Sequence, residues 1–172
     1  MIDLAIVGLG RWGRVLVDSV QGQSERVRFT KAATRTPANA EGYAAAKGLA
    51  LVQDLDALLA DPTVDGIVLA TPHSQHAAQV IQAAAAKKPV FCEKPFTLTR
   101  ESAAAAVAAA TEAGIVLAVG HNRRFLPAVQ RMHALIAEGA IGKLLHVEGN
   151  MSGHVGQRYK AGMWRVDPSE SP

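Results

Sequence analysis

The stretch Met1 to Gly13, MIDLAIVGLGRWG, decides the fold, because an apolar run ending at Ile6 and Val7 passes straight into Gly8, Gly10 and Gly13 with GxGxxG spacing. In such a turn Gly8 reverses the chain, Gly10 lets backbone approach a pyrophosphate, and Gly13 permits tight packing of the following helix on the sheet. That helix opens with Arg11 and Trp12, and its first N–H groups and partial positive charge suit phosphates. Glycines also mark ordinary turns. The strand before and the helix after are what point to a bound dinucleotide, with Trp12 expected to pack under the turn.

Beyond this stretch, apolar runs alternate with segments of helical period. The reading places strands near Asp3 to Val7, Arg26 to Ala33, Gly66 to Ala70, Pro89 to Cys92 and Ile115 to Val119. Helices are expected from Gly10 to Val20, Pro37 to Lys47, Leu55 to Leu59, Gln75 to Lys87, and Arg100 to Ala113 with Thr99 as N-cap and Gly114 as stop. The alanine runs Ala83 to Ala86 and Ala103 to Ala106 read as helix filler. This order predicts an α/β protein, a Rossmann doubly wound parallel sheet over residues 1–120. Residues 121–172 are expected to begin a second α+β domain, incomplete here, with a helix ending near Glu138 and a strand from Leu144 to Met151.

Composition narrows the function classes. The 172 residues are 49% hydrophobic with a net charge of +3, and the basic residues are spread along the chain, so a nucleic-acid partner is not supported. Cys92 is the only cysteine, which excludes an internal disulfide. No apolar run reaches membrane-spanning length and no cationic leader opens the chain, so the expectation is a cytoplasmic protein without a membrane partner.

At the end of the second strand, where NAD binders usually carry an acidic residue for the ribose hydroxyls, this chain has Thr34, Arg35 and Thr36. An acidic group there would repel a 2'-phosphate, whereas a guanidinium pairs with it. NADP is therefore preferred to NAD, the alternative being a solvated Arg35 beside the adenine.

The segment from Ala70 through Pro95, ATPHSQHAAQVIQAAAAKKPVFCEKP, with GLGRWG before it and HNRRFLP after it, resembles the signature of the Gfo/Idh/MocA family of glucose-fructose oxidoreductases and inositol dehydrogenases. The resemblance runs over nearly the whole chain. It implies hydride transfer between a nicotinamide cofactor and a sugar, inositol or related polyol, in a homo-oligomer, with Lys94 as the catalytic residue beside the nicotinamide. It also implies a cis bond before Pro95, and a cofactor side built from Ala70, Thr71, Pro72, His73, His76, Glu93, Asn122 and Arg123. Many relatives have Asn where His73 stands.

The chemistry of these residues agrees with what the resemblance implies. Hydride leaving an alcohol carbon requires the hydroxyl proton to leave as well, so a donor or acceptor must lie within reach of that oxygen, and an ammonium beside a cofactor can also stabilise a developing alkoxide. Glu93 could orient Lys94 or hold the nicotinamide ribose. His73 and His76 stand i and i+3, a spacing seen in metal pairs, but no Cys or acidic residue is placed to complete a site, so no metal is expected. Helix capping and a solvated basic turn explain Asn122 and Arg123 as well as a cleft does.

By the resemblance, full-length relatives continue past a Trp-Arg segment like Trp164 and Arg165 to an acidic residue and a His that complete proton transfer. The expectation is therefore a piece of such an enzyme that binds cofactor with little turnover, its Leu144 to Met151 strand leaving an apolar edge. A natural short form is the alternative origin. The rival function is a non-catalytic nucleotide-binding module, a redox sensor or an assembly partner.

Overall fold

The computed structural model describes residues 1–150 and 152–170. Six strands lie parallel in the order β3-β2-β1-β4-β5-β6. They are β1 (Ile2–Val7), β2 (Val27–Ala33), β3 (Ala50–Val52), β4 (Gly66–Leu69), β5 (Val90–Cys92) and β6 (Leu117–Val119). The intervening helices are α1 (Arg11–Val20), α2 (Glu41–Lys47), α3 (Leu55–Leu59), α4 (His76–Ala85) and α5 (Arg100–Ala113). The sheet runs outward from β1 in one direction through β2 and β3, and in the other through β4, β5 and β6. The order therefore reverses between β1 and β4, and there the crossover connections diverge and leave a crevice at the carboxyl ends.

Period-two alternation divides the core. Ala5, Val7, Ile67 and Leu69 face one layer, packed with Leu55 and Leu58 of α3, Val80 and Ala83 of α4 and Ala106 of α5. Ile6 and Val68 face the other, with Val17 of α1 and Ala44 of α2. All four residues of β4 are buried, as a central strand covered on both faces requires. The alanine runs do more than fill helices: Ala83, Ala84, Ala106 and Ala110 are buried, and their small side chains let α4 and α5 approach each other closely. Thr99 and Ser102 form a reciprocal capping box at the start of α5, and Gly114 ends it in the left-handed region at φ 68°.

Several expectations change, the first being the helix expected from Pro37 to Lys47, which begins as α-helix only at Glu41 because Pro37–Asn39 form a separate 3-10 turn. Strand β3 was not anticipated, since Ala50-Leu51-Val52 is too short for a periodic signal, yet it pairs with Lys31 to Ala33. Helix α4 starts at His76, one residue after the expected Gln75, because a 3-10 turn, His73–Gln75, precedes it. Residues 144–150 are not a strand, and Met151, the end of the expected one, lies outside the described residues. A strand needs a neighbour for its ladder, and among the described residues none pairs with this stretch. Leu145 and Val147 are accordingly exposed.

The chain divides into two compact units, one holding Met1–Gly120 and the described residues from Pro168 on, the other His121–Asp167. The second unit contains α6 (Pro127–Ala137), with Pro127 at its first turn. No helix among the described residues is long and apolar enough to cross a membrane.

Gly13 fixes how close α1 lies to the β1 turn, since a Cβ there would stand 1.9 Å from the Gly8 carbonyl oxygen. Backbone would have to move. Gly13→Ala is therefore expected to lower unfolding free energy by about 3 kcal/mol, measured by urea titration; a change within about 0.5 kcal/mol would contradict this packing.

Candidate cofactor and catalytic site

Because every strand is parallel, the residues that follow β1, β2, β4 and β5 share one rim. Gly8 to Gly13 follow β1, Thr34 to Thr36 follow β2, Ala70 to His73 follow β4, and Glu93 with Lys94 follow β5. Contacts stitch the first and third of these together. Gly8 has φ +100°, and a Cβ on it would stand 2.5 Å from the Ala70 carbonyl oxygen. Gly8 and Gly13 are thus required by the fold itself.

Gly10 is different. It adopts φ −69° and ψ −174°, a conformation open to any residue, and a Cβ on it would meet nothing within 4 Å. No protein neighbour asks for glycine here. The position caps α1, whose first turn has no acidic residue and no side-chain cap. Open space over uncapped N–H groups is what a pyrophosphate needs, so the residues fit a dinucleotide. Arg11 is exposed and Trp12 half-buried; the Trp12 Nε1 is buried and finds no hydrogen-bond partner among the described residues.

The loop after β2 is braced by Arg14, which the sequence reading did not single out. Its Nε donates to the Leu9 carbonyl at 3.2 Å and its Nη2 to the Asn39 carbonyl at 2.7 Å, while its guanidinium lies 4.9 Å from the centre of the Tyr43 ring. The Arg14 side chain thereby ties the glycine turn to the segment just past Thr36. Only the i+4 position after Gly10 could have signalled this. Arg35 is exposed and belongs to none of the ion pairs of the described residues.

After β4, Thr71 is held at both ends. Its hydroxyl donates to Gln79 Oε1 at 2.6 Å, and its carbonyl lies 3.1 Å from His76 Nε2. The hydroxyl is therefore committed to α4, leaving Thr71 to shape the rim by its backbone. His73 Nδ1 sits 2.7 Å from the Glu170 carbonyl oxygen, and the Ser74 N–H and hydroxyl donate to the Glu170 carboxylate at 3.0 and 2.6 Å. This clasp spans ninety-six positions from Ser74, too far for any local pattern to announce.

His76 departs from the expectation that it lines the cofactor. It is 0% exposed, and its Nδ1 lies 3.0 Å from the Pro95 carbonyl while Nε2 faces Thr71. Both ring nitrogens point at protein carbonyls, so neither is free for a nucleotide or a metal. Burial is the main cause that pushes its pKa below the usual 6.5, with the Pro95 and Thr71 carbonyls opposing.

Beyond β5 the Glu93 side chain is 7% exposed, and its Oε2 accepts the Lys94 N–H at 3.2 Å. Gly120, at the end of β6, makes room for it: a Cβ there would stand 2.7 Å from Glu93 Oε1. The Lys94–Pro95 bond is cis, and Lys94 is an exposed residue that follows β5 at the strand end where the glycines follow β1. Cys92 is no rival nucleophile, since burial pushes its thiol up to about 12. Asn122 and Arg123 belong to the second unit, in the exposed 3-10 turn Asn122–Phe125.

Residues 2–121 match the family model of an oxidoreductase family with an NAD-binding Rossmann fold. An inositol 2-dehydrogenase of Rhizobium meliloti is 34% identical over 83% of this chain and 43% of its own length. A 2,7-anhydro-N-acetylneuraminate hydratase of Escherichia coli is 35% identical over 89% of this chain and 40% of its own. This chain thus spans about two fifths of these curated relatives. Among solved structures, a candidate NADPH-dependent oxidoreductase from Desulfitobacterium hafniense superposes with TM-score 0.91 at 29% identity, over 99% of this chain and 49% of that one. A scyllo-inositol dehydrogenase from Lactobacillus casei with bound NAD(H) and scyllo-inositol gives TM-score 0.78 at 26% identity, over 83% and 42%.

A buried His76 with a depressed pKa carries a stability signature. Between its folded pKa and 6.5 the unfolded chain binds more protons than the native one, so stability is full above that window and falls as pH is lowered through it. Asp3, Asp18 and Asp61 have lowered values too, but their losses come only below 3.8. Unfolding free energy is expected to decline from pH 7 to pH 5 and to decline less in His76→Gln; identical slopes would remove the assignment.

Proposed function

Because this chain belongs to the Gfo/Idh/MocA oxidoreductase family, with its NAD-binding Rossmann domain, we propose that it holds NADP in preference to NAD along the rim and serves hydride transfer to or from a sugar, inositol or related polyol. Gly10 carries the reading. Two of the three motif glycines are explained by contacts inside the protein, and Gly10 is explained only by something that arrives from outside.

The bound nicotinamide would supply the hydride-accepting or hydride-donating carbon. Everything else falls to side chains and backbone. The first N–H groups of α1 take the pyrophosphate. Thr34 and Thr36 are positioned to donate to a 2'-phosphate and Arg35 to pair with it, which is what favours NADP. The Ala70 to Pro72 backbone forms the wall next to the glycine turn, and His73 follows it in the chain. Lys94 takes or returns the proton of the substrate hydroxyl, or holds the alkoxide as it forms. The tucked Glu93 carboxylate accepts the Lys94 N–H and so fixes where that turn stands. Asn122 and Arg123, and residues 121–172 as the start of a substrate-side domain that assembles into a homo-oligomer, complete the proposal. The hydroxylated substrates named for the two inositol dehydrogenases support the substrate class; the hydratase of Escherichia coli shows that relatives carry other names.

Gly10→Val is expected to leave the urea midpoint unchanged, since its Cβ meets open space, while abolishing the thermal shift given by the dinucleotide. A Gly10→Val protein that binds as the wild type does would overturn the reading. Arg35→Asp is expected to reverse the preference, the NADP shift falling below that of NAD; equal shifts for the two nucleotides in the wild type would remove the argument from Arg35. In the intact enzyme, Lys94→Met is expected to cost about a thousandfold or more in kcat with dinucleotide affinity kept, whereas a sensor would lose nothing.

A further inference from the structure

Two stretches of the rim must keep a fixed spacing: Ala70 to Pro72 on the dinucleotide side and Lys94 to Pro95 on the amine side. They follow different strands, β4 and β5, whose ladder ends at Leu69 and Cys92. Past that point the two backbones have no ladder to hold them together. The group between them is the His76 imidazole, 3.0 Å from the Pro95 carbonyl and 3.1 Å from the Thr71 carbonyl. It is fully buried and anchored in the first turn of α4.

We propose that His76 is a positioning residue, a clamp that sets the separation of the Thr71 carbonyl segment from the Lys94–Pro95 turn and thereby the fit of the nicotinamide end of the cofactor. The inference rests on the functional reading above. Three observations carry it. First, both carbonyls are acceptors, so the ring can serve this place only as a donor, and a neutral ring has one N–H to give. One bond is made and the other nitrogen is held against a carbonyl by packing; the ring acts as a spacer as well as a bond. Second, Thr71 is pinned a second time by α4 through Gln79, so the whole segment moves with that helix. Third, the two carbonyls that the ring nitrogens face belong to Thr71 and Pro95, so its direct hold is on the segment after β4 and the turn after β5, and it reaches the glycine turn only through the Ala70 backbone that abuts Gly8. The charged or titratable neighbour that faces it is His73, whose ring centre lies 6.0 Å away, and its effect, like that of burial, is to disfavour a second proton on the ring.

The test separates a clamp from mere packing. Titrate wild type, His76→Phe and His76→Gln with NADPH and NADH, and in parallel with ADP-ribose and its 2'-phosphate, which lack nicotinamide. His76→Phe keeps a planar ring and loses the donor; it is expected to weaken the intact dinucleotides about tenfold and the nicotinamide-free nucleotides less than about twofold. His76→Gln, which restores a donor, is expected to recover most of the loss. A loss shared equally by both ligand classes, or no loss, overturns the clamp. A wild-type protein that binds none of the four overturns the functional reading, and the clamp with it. Should the Phe variant fail to fold, ring nitrogen NMR on the wild type decides: one protonated, slowly exchanging ring nitrogen at pH 7 is expected, and a ring in fast exchange that titrates as in free histidine refutes the proposal.

Discussion

The approach of α1 to the β1 turn is the constraint from which the site follows. With a virtual Gly13 Cβ 1.9 Å from the Gly8 oxygen and a virtual Gly8 Cβ 2.5 Å from the Ala70 oxygen, three backbone segments meet where no side chain can be inserted. The helix N-terminus is thereby pressed into the point where strand order reverses. A dipole end elsewhere on the sheet would face solvent or a neighbouring helix; here it faces the crevice that the diverging crossovers leave open.

The same economy of atoms joins the rim laterally. Arg14 links the glycine turn to the segment after β2, His76 links the segment after β4 to the turn after β5, and Glu93 fills the space that Gly120 leaves at β6. None of these groups needs to touch a ligand. Each converts a loop, which would otherwise be free to drift, into an extension of the rigid sheet, and rigid placement is what the proposed hydride transfer would require of such a rim.

How much of this was legible in the sequence depended on the range of the forces involved. The sheet and its helices were written in local apolar period and in the glycines, so β1, β2, β4, β5 and β6 were expected close to where they lie. Strand β3 escaped because three residues carry no period, and its pairing to β2 is a tertiary fact. The stretch from Leu144 was expected as a strand for the opposite reason: its apolar content was right, but a strand exists only with a partner. The site residues show the same division. The glycines, Thr71, Glu93 and Lys94 announced themselves by motif, while the roles of Arg14, Gly120 and Glu170 depend on partners that local sequence cannot show. His76 was singled out for the wrong reason, because an i, i+3 histidine pair suggests a metal or a ligand and says nothing of the two carbonyls that enclose one ring.

Bracing by Arg14 also bears on how a chain of this kind could choose between nucleotides. The guanidinium holds Asn39, just beyond Thr36, and rests on Tyr43, whose hydroxyl donates to the Arg14 carbonyl at 3.0 Å. The backbone after β2 is thus fixed by groups on α1 and α2, independently of what stands at position 35. An exposed side chain on a braced loop can change its charge without the loop changing its path, since the loop does not depend on that side chain for any ion pair of the described residues. Under the proposed reading, selectivity between a ribose hydroxyl and a ribose phosphate would then be a matter of the charge presented at one position, while affinity for the shared pyrophosphate would stay with Gly10 and the end of α1.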